Sequence, residues 1–161
     1  MRITATALAL LLVATVGYAA EAVVETKDQA ALLKSSDPQL AANKKLVYDM
    51  WRTFINAYHM DEAGNFLAPE YHQHNPNATT GLPGVLEYFK SLNLKRTPVP
   101  DQITNKVVSI VAERDLVVVS LVSELKDKDG KPYTTTWFDM YRIANGKIVE
   151  HWDTALKGVV P

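Results

Sequence analysis

From residue 46 onward apolar side chains recur at three- and four-residue steps, the spacing of one buried stripe on an α-helix. Leu46, Val47, Met50, Trp51, Phe54, Ile55 and Tyr58 make that stripe, and Lys44, Lys45, Asp49, Arg52 and Asn56 fill the opposite side. Asp37-Pro38 opens the helix, because aspartate caps free N–H groups and proline at the first helical position forfeits no hydrogen bond. Met60 to Pro69 predicts a second, short helix with Asp61 as its cap. Asn75-Pro76 must leave helical geometry, since proline disfavours the α region at the residue before it. Thr80 then predicts the cap of a third helix, with Leu82, Val85, Leu86 and Phe89 on one face.

Beyond the stiff Thr97-Pro98-Val99-Pro100 loop the period changes to two, or to continuous β-branched runs, at Ile103–Ala112 and Leu116–Leu125. Glu113-Arg114-Asp115 is the turn between them, and Asp127-Lys128-Asp129-Gly130 leads into a strand from Tyr133 to Ile143. Asn145-Gly146 is a strong hairpin signal, because both residues tolerate the positive φ of a type I′ turn. Strict alternation on this hairpin puts Trp137, Asp139, Tyr141 and Ile143 on one face of the first arm. On the second arm it groups Lys147, Val149, His151 and Asp153, with Ile148, Glu150 and Trp152 opposite. Helices first and a meander afterwards predict an α+β fold. The expected form is a cone-shaped barrel, its N-terminal helices packed on a curved, four-stranded, mainly antiparallel sheet. A cone of that kind has an open mouth, and such cavities take small molecules.

The chain of 161 residues also opens with Arg2, an apolar run from Ala7 to Val16, and then small residues. That is the layout of a secretory signal peptide, and the run is shorter than the roughly 20 residues of a membrane-spanning helix. Cleavage after Ala19, Ala20 or Ala22 fits equally, and an uncleaved anchor is the competing reading. The organisation expected is a signal peptide over 1–22, a flexible lead-in over 23–36, one domain over 37–157 and a tail over 158–161. A periplasmic or secreted protein follows, with no stable membrane insertion once the leader is cut. There is no cysteine, so neither disulfides nor thiol chemistry enter. A net charge of −1 without a basic stripe argues against nucleic acid as a partner.

Tyr71-x-Gln73-His74-Asn75-Pro76, then Gly84 and Phe89, then Asp139-Met140-Tyr141-Arg142 and Asn145 to Asp153 stand in an order that resembles the SnoaL-like family. That family lies in the nuclear-transport-factor-two-like superfamily of cone-shaped α+β domains, and the likeness spans residues 40–157. The resemblance implies a deep apolar pocket, a small apolar ligand, a homodimer paired through the sheet, and no metal or cofactor. In the family's polyketide cyclases an aspartate of the penultimate strand is the general acid/base of an intramolecular aldol closure. Asp139 matches it. His74 and His151 match positions that line the pocket. Two departures are Tyr141 in place of a usual Phe, and His72 at a position more often apolar.

The residues themselves agree with part of this. A carboxylate among aromatics has its pKa raised toward the range an aldol base needs. The competing role for Asp139 is a structural carboxylate bound to Arg142 or to a backbone N–H. His74 and His151 would shuttle a proton or polarise a carbonyl, or else simply hold neighbouring carboxylates such as Glu150 and Asp153. Tyr71, Trp137, Tyr141, Trp152 and Asp153 complete the expected ligand site. Trp51, Phe54 and Tyr58 read as core rather than cavity wall. His72-x-His74 also has the spacing of two zinc ligands on a strand, with Asp139 or His151 as a third. Asn77-Ala78-Thr79 fits a glycosylation acceptor but reads first as a turn. Two classes of function stay open: a cofactor-free lyase, isomerase or cyclase for a small apolar carbonyl compound, and a non-catalytic binding module on the same cone.

Overall fold

The computed structural model describes residues 20–159; the expected signal peptide falls almost wholly outside them. Its helices are α1 (Gln29–Leu32), α2 (Pro38–Met50), α3 (Ala63–Phe66) and α4 (Leu82–Ser91). Its strands are β1 (Leu67–Gln73), β2 (Val107–Glu113), β3 (Leu116–Lys126), β4 (Pro132–Ala144) and β5 (Lys147–Asp153). They form one sheet in the order β1-β5-β4-β3-β2, in which β1 runs parallel to β5 and every other pair is antiparallel. The α+β class therefore holds, with a five-stranded mixed sheet in place of four strands. No helix of the described residues is long and apolar enough to cross a membrane.

Asp37 caps α2 as its sequence context requires, its Oδ1 accepting from the N–H groups of Gln39 and Leu40. The helix does not run on as plain α to residue 58. From Trp51 to Asn56 it widens into a π turn, closed by the Ala57 N–H on the Arg52 carbonyl at 3.1 Å. Val47, Met50, Trp51 and Phe54 are buried against Val107, Ile110, Val117, Val119, Tyr141 and Ile148 of the sheet. Leu46, Ile55 and Tyr58, expected in the same stripe, are only half-buried.

The added strand is β1. Residues 60–69 were expected as one helix, but helical structure stops at Phe66 and the chain extends from Leu67. Pro69 cannot donate to a ladder, which suits an edge strand. A register shift between Leu67 and His72 leaves β1 with an irregular burial pattern, so no clean alternation marked it. Thr80 does not cap α4; that role falls to Gly81 at φ 84°, a backbone conformation that favours glycine. The Thr80 hydroxyl instead donates to the Tyr71 carbonyl. Within the lead-in, one side chain reaches into the core. Gln29 is buried, donating to the Ile103 carbonyl at 2.9 Å and accepting from the Tyr48 hydroxyl at 2.9 Å.

The Asn145-Gly146 turn has φ of 50° and 70°, as a type I′ turn requires. Below it the register shifts: Arg142 pairs with Glu150, but Ile143 pairs with Ile148, so Val149 is a bulge residue. This corrects the faces expected for the second arm. Ile148 is fully buried on the same side as His151, where strict alternation had put Val149 and Lys147. Replacing Ile148 by alanine will cost about 2–5 kcal/mol in urea denaturation, the range for a filled core site. Val149→Ala will cost well under half as much; equal costs would contradict the bulge.

Candidate active site

The β4–β5 register sets Asp139 opposite Asp153 and Tyr141 opposite His151, so four side chains crowd the inner face of one hairpin. Asp139 and His151 are buried, and Asp139 Oδ1 lies 2.9 Å from His151 Nε2. The His151 ring stacks on Tyr141 at 4.8 Å between centroids. From the neighbouring strand, Gln73 stands beside His151 in the parallel β1–β5 register and places Oε1 2.8 Å from His151 Nδ1. The Asn75 backbone N–H also donates to that Oε1, which identifies it as the oxygen of the amide. His151 Nδ1 must then be the donor to Gln73. Its Nε2 is left to face Asp139, accepting a proton from the acid or donating one to the carboxylate. One mobile proton is shared by the pair.

The two aspartates differ in what they have free. Asp153 uses Oδ2 to accept from the Asn75 side chain and Oδ1 to accept from the Ala155 N–H at 3.0 Å. Asp139 has one oxygen on His151, while Oδ2 is buried with no hydrogen-bond partner among the described residues. Burial pushes the Asp139 carboxyl above the ordinary carboxylate range; the His151 hydrogen bond and charge and the approach of the Trp137 indole N–H, short of full hydrogen-bond geometry, oppose the rise, and Asp153 adds to it. Burial and the nearby Asp139 charge likewise push the phenols of Tyr71 and Tyr141 up, so both stay protonated and able to donate. Asp139 is thus the one carboxyl here with both a raised proton affinity and an unoccupied oxygen. That is the equipment of a general base.

The residues expected in one site divide between two faces. Asp139, His151, Asp153, Tyr71 and Tyr141 come together, and Trp137 shares their strand face and packs on the core. His74 and Trp152 do not join them. Glu150 and Trp152 alternate with His151 and Asp153 and so point to the outer face, where the His74 ring stacks on Trp152 at 5.0 Å and bonds Glu150 at 2.9 Å. Arg142 completes that outer cluster, donating to Glu150 and Asp115, so it is no partner for Asp139. The His72-x-His74 pairing as metal ligands fails as well, because His72 is exposed and His74 is taken up by Glu150. Among the described residues the donor group close enough to share an ion is Asp139, His151 and Asp153, all within 4.8 Å. Their atoms are committed instead to the hydrogen bonds above, save Asp139 Oδ2.

Two residues escaped the sequence reading. Gln73 appeared there as a motif member, yet it fixes the His151 tautomer; its two-residue step from Tyr71 was the available signal. Trp51 read as core, and it is buried, but its indole Nε1 has no hydrogen-bond partner among the described residues. Two surface grooves, of about 950 and 320 Å³, lie elsewhere, one beside Tyr133 and the other beside Arg114. Asp139 lines neither of them.

The family model of the SnoaL-like polyketide cyclases matches residues 45–155, more than half of the chain. The chain belongs to the SnoaL-like family. No curated protein matches it. Among solved structures it is similar to a protein from Jannaschia sp. CCS1 assigned as a SnoaL-like polyketide cyclase, at 15% identity and TM-score 0.53, over 75% of this chain and 91% of that one. A protein from Acidithiobacillus ferrooxidans assigned as a polyketide cyclase is 18% identical with TM-score 0.51, covering 74% and 89%. TerC, co-crystallised with polyporic acid, is 15% identical with TM-score 0.50, covering 70% and 89%. At these identities the likeness is one of fold, and the SnoaL-like assignment rests on the family match.

Within this SnoaL-like chain the raised Asp139 proton affinity has a consequence for stability. A carboxyl whose folded pKa exceeds its unfolded value, about 3.9, binds its proton more tightly when folded. The fold therefore loses stability as pH rises from the unfolded to the folded pKa and stays at the lower level above it. Asp139→Asn will be more stable than the wild type at neutral pH in urea denaturation, and the gap will close as pH falls below about 4. A variant less stable at neutral pH would contradict the burial cost.

Proposed function

We propose that the protein is an exported, cofactor-free cyclase, lyase or isomerase that uses Asp139 and His151 as its acid/base pair on a small apolar carbonyl compound. The observation that carries this reading is the division of labour on one carboxyl: Oδ1 on His151, Oδ2 buried and unpartnered. In the aldol form of the reaction Oδ2 takes the proton from a carbon next to a carbonyl, and the electron pair becomes an enolate. The enolate carbon attacks a second carbonyl of the same molecule, one C–C bond forms, and the new alkoxide takes the proton back. In the isomerase form the proton returns to a different carbon. Neither course needs an oxidant. His151, oriented by Gln73, shares the proton while Asp139 holds it. Buried aromatic walls exclude the water that would otherwise quench the enolate.

Export is supported by the charged and apolar pattern of residues 1–22. A homodimer through the sheet is supported by Phe138, which is 47% exposed on the outer face next to the Met140–Trp152 pair.

Native mass spectrometry of the protein purified from its own host tests these points together. It will give a mass lacking the leader, two subunits, and a retained apolar carbonyl compound; polyporic acid, which TerC holds in its crystals, is the first compound to titrate alongside. With the retained compound as substrate, Asp139→Asn will lower turnover about 10²–10⁴-fold while binding persists, the usual contribution of a positioned base. Unchanged turnover would overturn the acid/base role. Binding without any turnover by the wild type would leave a binding module on the same cone.

A further inference from the structure

Asp139 Oδ2 is not the sole polar atom buried without a partner. Trp51 Nε1 is the other, and among the described residues these two make up the whole set of side-chain nitrogens and oxygens so placed. One is an acceptor and the other a donor. Trp51 is 5% exposed and Asp139 is 6% exposed, so neither is satisfied by bulk solvent. Natural interiors pair almost all such atoms, and an exception calls for a cause. Tyr141 neighbours both: it shares the strand face of Asp139 two residues away, and the Trp51 N–H approaches its hydroxyl short of full hydrogen-bond geometry. Trp51 is also the first residue of the π turn, a local widening that recurs at functional sites because it re-aims side chains. An indole nitrogen can only donate.

We infer that Trp51 Nε1 is a further substrate-contacting group, the donor that holds the carbonyl oxygen while Asp139 Oδ2 faces the acidic hydrogen beside it. The inference rests on the acid/base reading of Asp139 and narrows the substrate. The compound must present an oxygen acceptor and an adjacent transferable hydrogen to two groups that both neighbour Tyr141, on an otherwise apolar body. As the carbonyl becomes an enolate its oxygen gains negative charge, so the Trp51 bond strengthens in the transition state, as catalysis requires. A dry donor fixed by helix packing needs no reorganisation at that moment.

The test uses ¹⁵N-labelled protein and 2-naphthol, a locked enol whose oxygen copies the reacting one. The three tryptophans, Trp51, Trp137 and Trp152, give three indole N–H signals, assigned by the one lost in Trp51→Phe. On adding 2-naphthol the Trp51 signal will move downfield as its hydrogen bond forms, while that of Trp152, on the outer face, stays. Trp51→Phe, which keeps a ring in place, will weaken 2-naphthol binding about tenfold, the loss of one hydrogen bond. If 2-naphthol shifts the His151 ring signals but leaves Trp51 unmoved, the Trp51 role is overturned and the Asp139 reading stands. If 2-naphthol shifts neither, the site takes no enol-like ligand and both fall. Should Trp51→Phe fail to fold, the wild-type spectrum still decides, because the signal that moves can be assigned from sequential connectivities.

Discussion

The hydrogen bond between Asp139 and His151 is made where water barely reaches, and much of the surrounding structure answers what such a bond needs. A buried carboxyl costs folding energy unless its charge is shared or its proton retained. The histidine can share it only in one tautomer, and Gln73 sets that tautomer by accepting from Nδ1. Gln73 is in place because β1 pairs in parallel with β5, the least regular contact of the sheet. Asn75, just beyond the strand, holds Asp153 away from the same task. The site is thus built by two sheet neighbours that lie some eighty residues apart in the chain.

The fold by itself does not carry the chemistry, since the same cone serves many purposes. What distinguishes this SnoaL-like chain is how its polar groups are sorted. The inner face holds the protonated phenols, the aspartate pair and one oriented imidazole. The outer face gathers His74, Trp152, Arg142 and Glu150 into a charged, stacked surface, where the hydrogen bonds of His74 and Arg142 hold the Glu150 carboxyl below the usual range. A carboxylate kept ionised outside and another kept hungry for protons inside are what electrostatics predicts for the two environments. The π turn at Trp51 is the helical element with non-standard hydrogen bonding that packs on the same core as Tyr141.

Where local chemistry decides the backbone, the sequence was readable. Asp37 as a cap, Asn145-Gly146 as a type I′ turn and the β-branched runs of β2 and β3 all stand as their residue types require. The motif singled out Asp139 and His151, but the inner face they share comes from the bulge at Val149, since strict alternation from the turn would have set Asp139 opposite Trp152. The main failures share a physical origin, one or a few extra residues in a regular element. The bulge at Val149 turned the start of β5 over and brought Ile148 inward. The π turn ended the plain period of α2 at Met50. The register shift in β1 hid a strand and, with it, the side of the sheet to which His74 belongs. Single-residue insertions leave no trace in periodicity, because each flanking segment still looks regular. Trp51 shows another limit, since a buried indole reads as core whether or not its N–H is spent.

The central claim is that Asp139 keeps a proton affinity above that of an ordinary carboxyl because it is buried, with one oxygen on His151 and the other without a fully formed hydrogen bond. It is tested most directly by ¹³C NMR titration of aspartate side-chain carboxyls, with the Asp139 signal assigned by its loss in Asp139→Asn. The account predicts a midpoint clearly above the ordinary value of about 3.9. A midpoint at or below that value would mean a solvated or charge-stabilised carboxylate, and the acid/base assignment would fail with it.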